Sequence, residues 1–213
     1  YQNHTATATV NYAKTIGVHD FSVLLGTEQY YWNVKGFSAT RTGLLDLDLP
    51  DFTAALDLLD PTLGGTAEQD YGVISYFGRL NYSYKNRYLF EANVRRDGSS
   101  RFGPDSRWGT FPSFSAAWRI SEESFMKDMK NIFSNLKLRA SWGKLGNTTS
   151  GYYEWQATYG AVNYSFGGNV YDGLRQGKIA NPNLHWESSE STDIGIDVGF
   201  LDNRLSLEAD YYS

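Results

Sequence analysis

The chain contains no cysteine among its 213 residues, so it can form neither a disulfide framework nor a thiolate nucleophile. It also lacks any apolar run near the ~18 residues that a transmembrane helix needs, which excludes a helical membrane protein. That absence leaves a β-barrel open, because the signal of each barrel strand is much weaker. There is no basic tract, and the net charge is -5, so we expect no nucleic-acid partner.

Signatures of catalysis and of metal binding are missing as well. The sequence has no nucleophile elbow, zincin, P-loop or dinucleotide-binding motif. An acidic stretch in the first long connection lacks the turn glycine and the further carboxylate of a calcium loop; its members are Asp46, Asp48 and Asp51. The histidines have no ligand-like spacing; they are His4, His19 and His185. We therefore expect no enzyme activity, no cofactor and no metal.

Aromatic residues, in contrast, make up 16% of the chain, although its mean hydropathy is -0.47. Such a composition fits strands that carry one apolar and one polar face. Alternation with period two is clearest over 74–84, where only Phe77 breaks it. Its apolar positions are Ile74, Tyr76, Leu80, Tyr82 and Tyr84, and its polar positions are Ser75, Arg79, Asn81 and Ser83.

The same alternation predicts eight strands in all. They cover about 5–14, 19–32, 74–84, 90–95, 113–120, 136–142, 193–200 and 205–211. Most are longer than the ~5–6 residues usual in soluble proteins and approach the ~9–11 of a membrane-crossing strand. The sequence therefore predicts an all-β, antiparallel transmembrane barrel segment of about eight strands.

The connections between these strands alternate between two classes. Short ones are predicted at 15–18, 85–87, 121–135 and 201–203, and long ones at 33–71, 98–109 and 145–187. Outer-membrane barrels are built in this way, with short periplasmic turns and longer extracellular loops. Aromatic side chains near both strand ends predict two interfacial girdles. The girdle at the long connections would comprise Tyr30, Tyr31, Trp32, Tyr71, Trp108, Phe111 and Trp142.

Two of the connections show helical spacing of apolar residues. In 121–135 the spacing of Phe125, Met129, Ile132 and Phe133 predicts one or two helical turns that pack locally, with Ser124 as the cap. In the first long connection the same argument rests on Phe52, Ala55, Leu56 and Leu59, with Asp51 as the cap.

The last long connection is rich in aromatic rings, and five of them are candidate site residues: Tyr152, Tyr153, Trp155, Tyr159 and Tyr164. Exposed rings can stack on the faces of sugars. The alternative interpretation is that they fold the connection onto itself or onto its neighbours.

Three stretches resemble a known family. They are NRYLFEANVRRDGSSRFGPDSRWGTFPSFSAAWRISEESFMK (86–127), LKLRASWGKLGN (136–147) and NPNLHWESSESTDIGIDVGFLDNRLSLEADYYS (181–213). The loop DGSSRF, the strand FPSxSxxW, the exit WGxxGN and the entry NPNLxWE occur in the order found in SusC/RagA-type TonB-dependent outer-membrane transporters. Together with residues 74–85, these stretches extend the resemblance over nearly half of the chain.

That resemblance implies a 22-stranded barrel in the outer membrane of a Gram-negative bacterium, of which residues 1–213 form an internal piece. The plug domain and the TonB box would lie outside these residues. Such transporters import oligosaccharides or peptides beneath a SusD-type surface lipoprotein, the lid, and are energised by the TonB complex. The five candidate rings would then contact substrate or lid.

Two other interpretations are compatible with the strand pattern alone. One is a soluble carbohydrate-binding β-sandwich, with the aromatic rings packed between two sheets. The other is a complete eight-stranded barrel with a structural or adhesive role.

Overall fold

The computed structural model describes residues 1–40, 62–148 and 151–213. The predicted helix at Phe52–Leu59 and the acidic stretch at Asp46–Asp51 lie outside these residues. The strands are β1 (Gln2–Ile16), β2 (His19–Thr40), β3 (Thr62–Tyr84), β4 (Tyr88–Ser99), β5 (Trp108–Arg119), β6 (Phe133–Asn147), β7 (Thr158–Phe166), β8 (Asn169–Lys178), β9 (Glu187–Phe200) and β10 (Leu205–Tyr212). Two short 3-10 helices, Ile120–Glu122 and Ser124–Met129, follow β5.

Eight of these strands form one antiparallel sheet, in the order β1-β2-β3-β4-β5-β6-β9-β10. The predicted all-β architecture and the eight strands are confirmed. The sandwich interpretation is wrong, because the other sheet in the described ranges is only the two-stranded hairpin β7–β8. A closed eight-stranded barrel is also contradicted, since β1 and β10 do not pair with each other in the described part of the chain.

The strand register confirms the predicted alternation of faces. Leu80 lies opposite Ala92, and Arg79 lies opposite Asn93. Directly paired residues share a face of the sheet, and successive residues alternate between faces. The side that carries Leu80 is called the apolar face below, and the side that carries Arg79 is called the polar face.

The connections are sorted between the two ends of the sheet as predicted. At the turn end, β1 and β2 are joined through Gly17 and Val18, and Gly17 adopts a φ of 63° that glycine accepts without strain. Lys85 and Asn86, with φ of 53° and 54°, turn β3 into β4. The backbone N–H of Lys85 donates to the carbonyl of Val18 at 2.8 Å, so neighbouring turns support each other. The opposite end, with the longer connections, is called the loop end.

Strand pairing at the loop end extends further than the sequence predicts. Much of the expected connection 33–71 is strand, because β2 continues to Thr40 and β3 begins at Thr62, with a bulge between Val34 and Gly36. The expected connection 145–187 contains the hairpin β7–β8. Apolar and polar residues alternate only in strands whose two faces meet different surroundings. Paired strands that are exposed to water on both faces lack this pattern and cannot be predicted from it.

The helical prediction after β5 is right about position and wrong about its buried face. Glu123 is the N-cap residue and makes no side-chain cap bond, while Ser124 is the first helical residue. Phe125 is 64% exposed, whereas Met126 is 7% exposed. The helices are of the 3-10 type, whose three-residue repeat does not follow the α-helical spacing assumed from the sequence.

The predicted aromatic girdle at the loop end is only partly present. Tyr31 and Trp108 lie on the apolar face and are exposed there. The register places Tyr30, Trp32, Tyr71 and Phe111 on the polar face instead. One of these, Phe111, is almost fully buried. Ring content near a strand end therefore did not reveal which face the rings occupy.

Candidate functional site: the polar face and the loop end

The polar face of the sheet borders a cavity of about 630 Å³ near the turn end. Strands from β1 to β9 contribute to its lining, including Ser22, Asn81, Glu91, Ser115 and Asp193. With Ser141 between Ser115 and Asp193, these residues share a face because each is the direct cross-strand neighbour of the next. The cavity therefore spans seven strands, and apolar residues such as Phe21 and Leu89 line it together with these polar side chains.

Charged side chains on this face are held by ion pairs. The Arg139 guanidinium donates to Asp197 at 3.0 Å and to Asp193 at 3.3 Å, and it also pairs with Asp210. Lys137 Nζ lies 3.0 Å from the same Asp197 carboxylate. Three carboxylates and two cations thus join β6, β9 and β10, and the cluster has an excess of negative charge.

A second cluster joins β2, β3 and β4. Arg95 donates to Glu28 at 3.1 Å, to the hydroxyl of Ser75 at 2.9 Å and to Asp97 at 2.8 Å. Ser75 is 1% exposed and Asp97 is 8% exposed, so these groups rely on each other rather than on water. The cluster fixes the loop-end half of the polar face.

At the loop end, the connection after β6 packs onto the polar face through an aromatic stack. The rings of Tyr152 and Trp32 are parallel, with centroids 5.3 Å apart, and Tyr71 lies 5.7 Å from Tyr152. The Arg101 guanidinium sits over both tyrosines, at 4.0 Å from the centroid of Tyr71 and 4.9 Å from that of Tyr152. Cation–π geometry of this kind orders the rings.

A small core lies beside that stack. Phe102 is 1% exposed and contacts Trp186 at a centroid distance of 5.3 Å, and Phe111 contacts the same indole at 5.4 Å. The Trp186 indole N–H donates to the carbonyl of Arg107 at 2.9 Å. The connections after β4 and before β9 are therefore packed together, so this part of the loop end is an ordered surface.

The hairpin β7–β8 projects from this surface. Gly167 and Gly168 form its two-residue turn, with φ of 60° and 81°, as hairpin turns of this length require. At its base, Lys178 lies 3.1 Å from Glu154 and holds the pKa of that carboxyl below its ordinary value. Large apolar side chains are exposed on both faces of the hairpin: Tyr159, Tyr164, Phe166, Val170, Tyr171 and Leu174.

The five candidate rings thus fall into two groups. Tyr152 belongs to the stack on Trp32, and Trp155 packs beside Gly103 and Pro182. The Tyr153 hydroxyl donates to Asp70 at 3.2 Å, and burial raises the pKa of Tyr153. Tyr159 is 65% exposed and Tyr164 is 49% exposed. The packing interpretation fits the first three rings, whereas the last two are displayed on the hairpin.

Sequence reasoning missed the hairpin, although a signal for it was present. Gly167-Gly168 is flanked by Phe166 on one side and by Val170 and Tyr171 on the other, and a Gly-Gly pair between such residues indicates a hairpin. The polar clusters were anticipated only as a charged face, because the pairing of Arg139 with Asp210 depends on strands distant in sequence.

The described residues contain neither a membrane-spanning helix nor a cluster of metal-ligand side chains. No helix in them is both long and apolar enough to cross a membrane. Within the same residues, no group of three or more His, Cys, Asp or Glu side chains is placed to hold a metal ion.

Comparison with known proteins gives a consistent picture. A family model described as "TonB dependent receptor-like, beta-barrel" matches residues 1–213. The chain is 39% identical over 208 residues to the TonB-dependent receptor SusC of Bacteroides thetaiotaomicron, covering 95% of the chain and 20% of that protein. It is 34% identical over 218 residues to the TonB-dependent receptor P3 of Formosa agariphila, covering 100% of the chain and 21% of that protein.

Among solved structures, the RagAB peptide transporter is similar, with a TM-score of 0.83 and 29% identity. The RagAB peptide importer in its "open-open" state gives a TM-score of 0.84 at the same identity. Each match covers 99% of this chain and 23% of the other. The chain therefore spans about a fifth of the length of the curated relatives it matches.

Proposed function

The chain belongs to the TonB-dependent receptor β-barrel family, of the SusC/RagA type, and from this membership we propose that it serves nutrient import across a bacterial outer membrane. Residues 1–213 would form part of the barrel domain. The observation that carries this is the eight-stranded sheet with one apolar face, one charged face and connections sorted between its ends. Family members are outer-membrane proteins of Gram-negative bacteria.

In this proposal the apolar face meets lipid and the polar face lines the lumen. Leu80, Phe90 and Val94 leave 45%, 50% and 48% of their surfaces exposed on the apolar side, which suits hydrocarbon and not water. Between the row of Tyr84 and the row of Tyr76 the strand advances roughly 27 Å at about 3.4 Å per residue. Because barrel strands are tilted, the height of this segment along the membrane normal is somewhat shorter than its length. That height is comparable with the ~25 Å apolar band of outer-membrane barrels.

The open edges support assembly into a wider barrel. An unpaired strand edge cannot sit in lipid, because every backbone polar group there needs a partner. We propose that β1 and β10 pair with further strands of the whole protein, and that a plug domain fills the lumen and couples it to the TonB complex. The negative excess around Arg139 belongs to this lumen surface. No step of covalent chemistry is part of the proposed function.

The substrate is proposed to be an oligosaccharide or a peptide, captured beneath a SusD-type lipoprotein lid. Two of the similar structures are entitled the RagAB peptide importer in "open-open" and "closed-closed" states, and one curated relative is named SusC. On this chain the hairpin β7–β8 suits contact with a partner. An isolated two-stranded ribbon is marginally stable in water, and its exposed rings offer the flat area favoured at interfaces.

The test uses alanine variants of the full-length transporter. Tyr159→Ala with Tyr164→Ala removes the displayed rings, and Trp155→Ala is the matched control because that ring packs beside Gly103. The measurements are membrane insertion, co-purification of the lid lipoprotein and growth on single glycans or peptides. Lost lid association with the double variant supports an interface. Lost growth with an intact lid complex supports substrate contact, and normal behaviour in all three assays rejects both roles.

A further inference from the structure

The connection between β5 and β6 is tied to the apolar face of the sheet by one carboxylate. Glu123 accepts hydrogen bonds from the Tyr88 hydroxyl at 2.6 Å and from the Trp118 indole N–H at 3.2 Å, and Arg87 pairs with it at 3.0 Å. Tyr88 and Trp118 are direct cross-strand neighbours in the row of Tyr84 and Leu138. The bonds therefore draw the connection toward the apolar side at the turn end.

Held in this way, the connection exposes large apolar side chains. Phe125 is 64% exposed, Met129 is 41% exposed and Ile132 is 56% exposed, whereas Met126, which packs inward, is 7% exposed. These three residues lie within eight positions of one another, among the charged residues Glu122, Lys127, Asp128 and Lys130, of which Lys130 pairs with Glu122 at 3.5 Å. An aqueous surface does not explain why the same connection buries Glu123 and leaves Phe125 outside.

We propose that residues 121–132 form an interfacial anchor, with Phe125, Met129 and Ile132 inserted among the headgroups and upper acyl chains of a glycerophospholipid leaflet. The argument is continuity: the patch adjoins the Tyr88–Trp118 row, where amphipathic rings mark the membrane boundary. Short apolar segments bearing nearby lysines bind interfaces by burying rings while their ammonium groups stay at the headgroups. This inference rests on the proposed membrane position of the barrel.

The anchor would affect the position of the sheet in the membrane. Glu123 bridges the connection to β4 and β5, so insertion of Phe125 would hold these strands at a set depth in the bilayer. The other short connections, such as Gly17-Val18 and 201–204, contain no such segment. Those turns expose single apolar side chains such as Val18 and Leu201, whereas the β5–β6 connection exposes three within eight residues.

Spin labelling of the full-length transporter in phospholipid nanodiscs tests the proposal. Because the chain has no cysteine, single substitutions Phe125→Cys, Arg204→Cys and Leu80→Cys can each be labelled in a protein freed of any other cysteine. Arg204 is the matched control, an exposed residue in the turn between β9 and β10. We expect the label at 125 to collide more with oxygen than with a water-soluble nickel chelate, and the label at 204 to show the reverse.

The label at residue 80 distinguishes failure of the proposed anchor from failure of the proposed membrane position of the barrel. If it is reached by oxygen while the label at 125 behaves like that at 204, the barrel position stands and the anchor is wrong. If the label at 80 is itself exposed to the nickel chelate, the proposed function fails first.

A fluorescent label provides a second measurement that the six native tryptophans do not obscure. A fluorophore attached at Phe125→Cys should be quenched by phospholipids brominated near the headgroup. Protection from both brominated lipid and aqueous iodide would overturn the anchor in favour of contact with a protein, either a second copy or a periplasmic partner.

Discussion

The ring of Phe111 on β5 occupies the space in which Gly146 on β6 would carry a side chain. The same ring also covers Gly109 and packs against Trp186, and it is 9% exposed. A bulky ring over glycines lets strand ends approach a packed connection closely. This contact joins the wall of the sheet to the ordered surface of the loop end.

Gly146→Ala should therefore destabilise the loop end by about 1–3 kcal/mol, because the added methyl forces an enclosed ring to move. The control is Gly72→Ala, whose new Cβ would meet the carbonyl of Tyr30 at an ordinary 3.6 Å. Hydrogen exchange of residues 98–109 and 181–187 is the measurement. Equal protection in the two variants would show that the Phe111 contact does not organise this end.

Leu80→Arg should cost about 2–4 kcal/mol if Leu80 faces lipid near the middle of the bilayer. Asn81→Arg is the matched control, since residue 81 lies on the polar face opposite Glu91 and a guanidinium there gains a partner. Reversible folding of the full-length protein into lipid vesicles gives the free energy of unfolding of each variant. A cost at residue 81 equal to that at residue 80 would contradict the assignment of faces.

Arg139→Met should lower the unfolding midpoint, because it leaves the carboxylates of Asp193, Asp197 and Asp210 facing one another without their shared cation. Asp210→Asn in the same protein should restore part of the loss by removing one of the repelling charges, while Asp197 keeps its ion pair with Lys137. The double-mutant cycle measures this coupling. Arg79→Met, which removes a single bond to Asn93, should have the smaller effect. Additive losses would argue against a cooperative cluster.

The tie between Glu123 and the wall should depend on pH. The Tyr88 hydroxyl above all, with Trp118 and Arg87, holds the pKa of Glu123 below its ordinary value, against the desolvation that raises it. A carboxyl whose pKa falls on folding stabilises the folded state fully above its unfolded pKa of about 4.3, and that stabilisation disappears as pH falls through the lower folded value.

Glu123→Gln should remove this pH dependence. We expect faster hydrogen exchange in residues 120–133 of the variant at neutral pH, and convergence with the natural protein as the carboxyl protonates. A difference between the two proteins that stays constant down to acid pH would contradict the proposed ionic tie.

Much of the eight-stranded sheet can be predicted from local sequence pattern. The alternation of Leu80 with Arg79, and of Phe90 with Glu91, predicts both the strands and their faces, because neighbours in a strand must point to opposite sides. The short turns are similarly readable, since Asn86 and Gly17 tolerate the left-handed backbone that tight reversals need. The resemblance of 86–127 and 181–213 to the transporter family pointed to the same architecture, which the comparisons confirm.

The sequence by itself thus determined the fold class, the faces of the alternating residues in the middle of the strands and the family, because each depends on neighbours along the chain. Tertiary structure alone decided that Arg139 pairs with Asp193, Asp197 and Asp210, that Trp32 stacks on Tyr152, and that Glu123 bonds to Tyr88 while Phe125 stays exposed. These contacts join residues on different strands and connections. Their partners are fixed by strand register and by the path of the loops. Alternation along one strand restricts the register to shifts that keep each face, but it does not by itself specify which residues of two strands lie opposite each other.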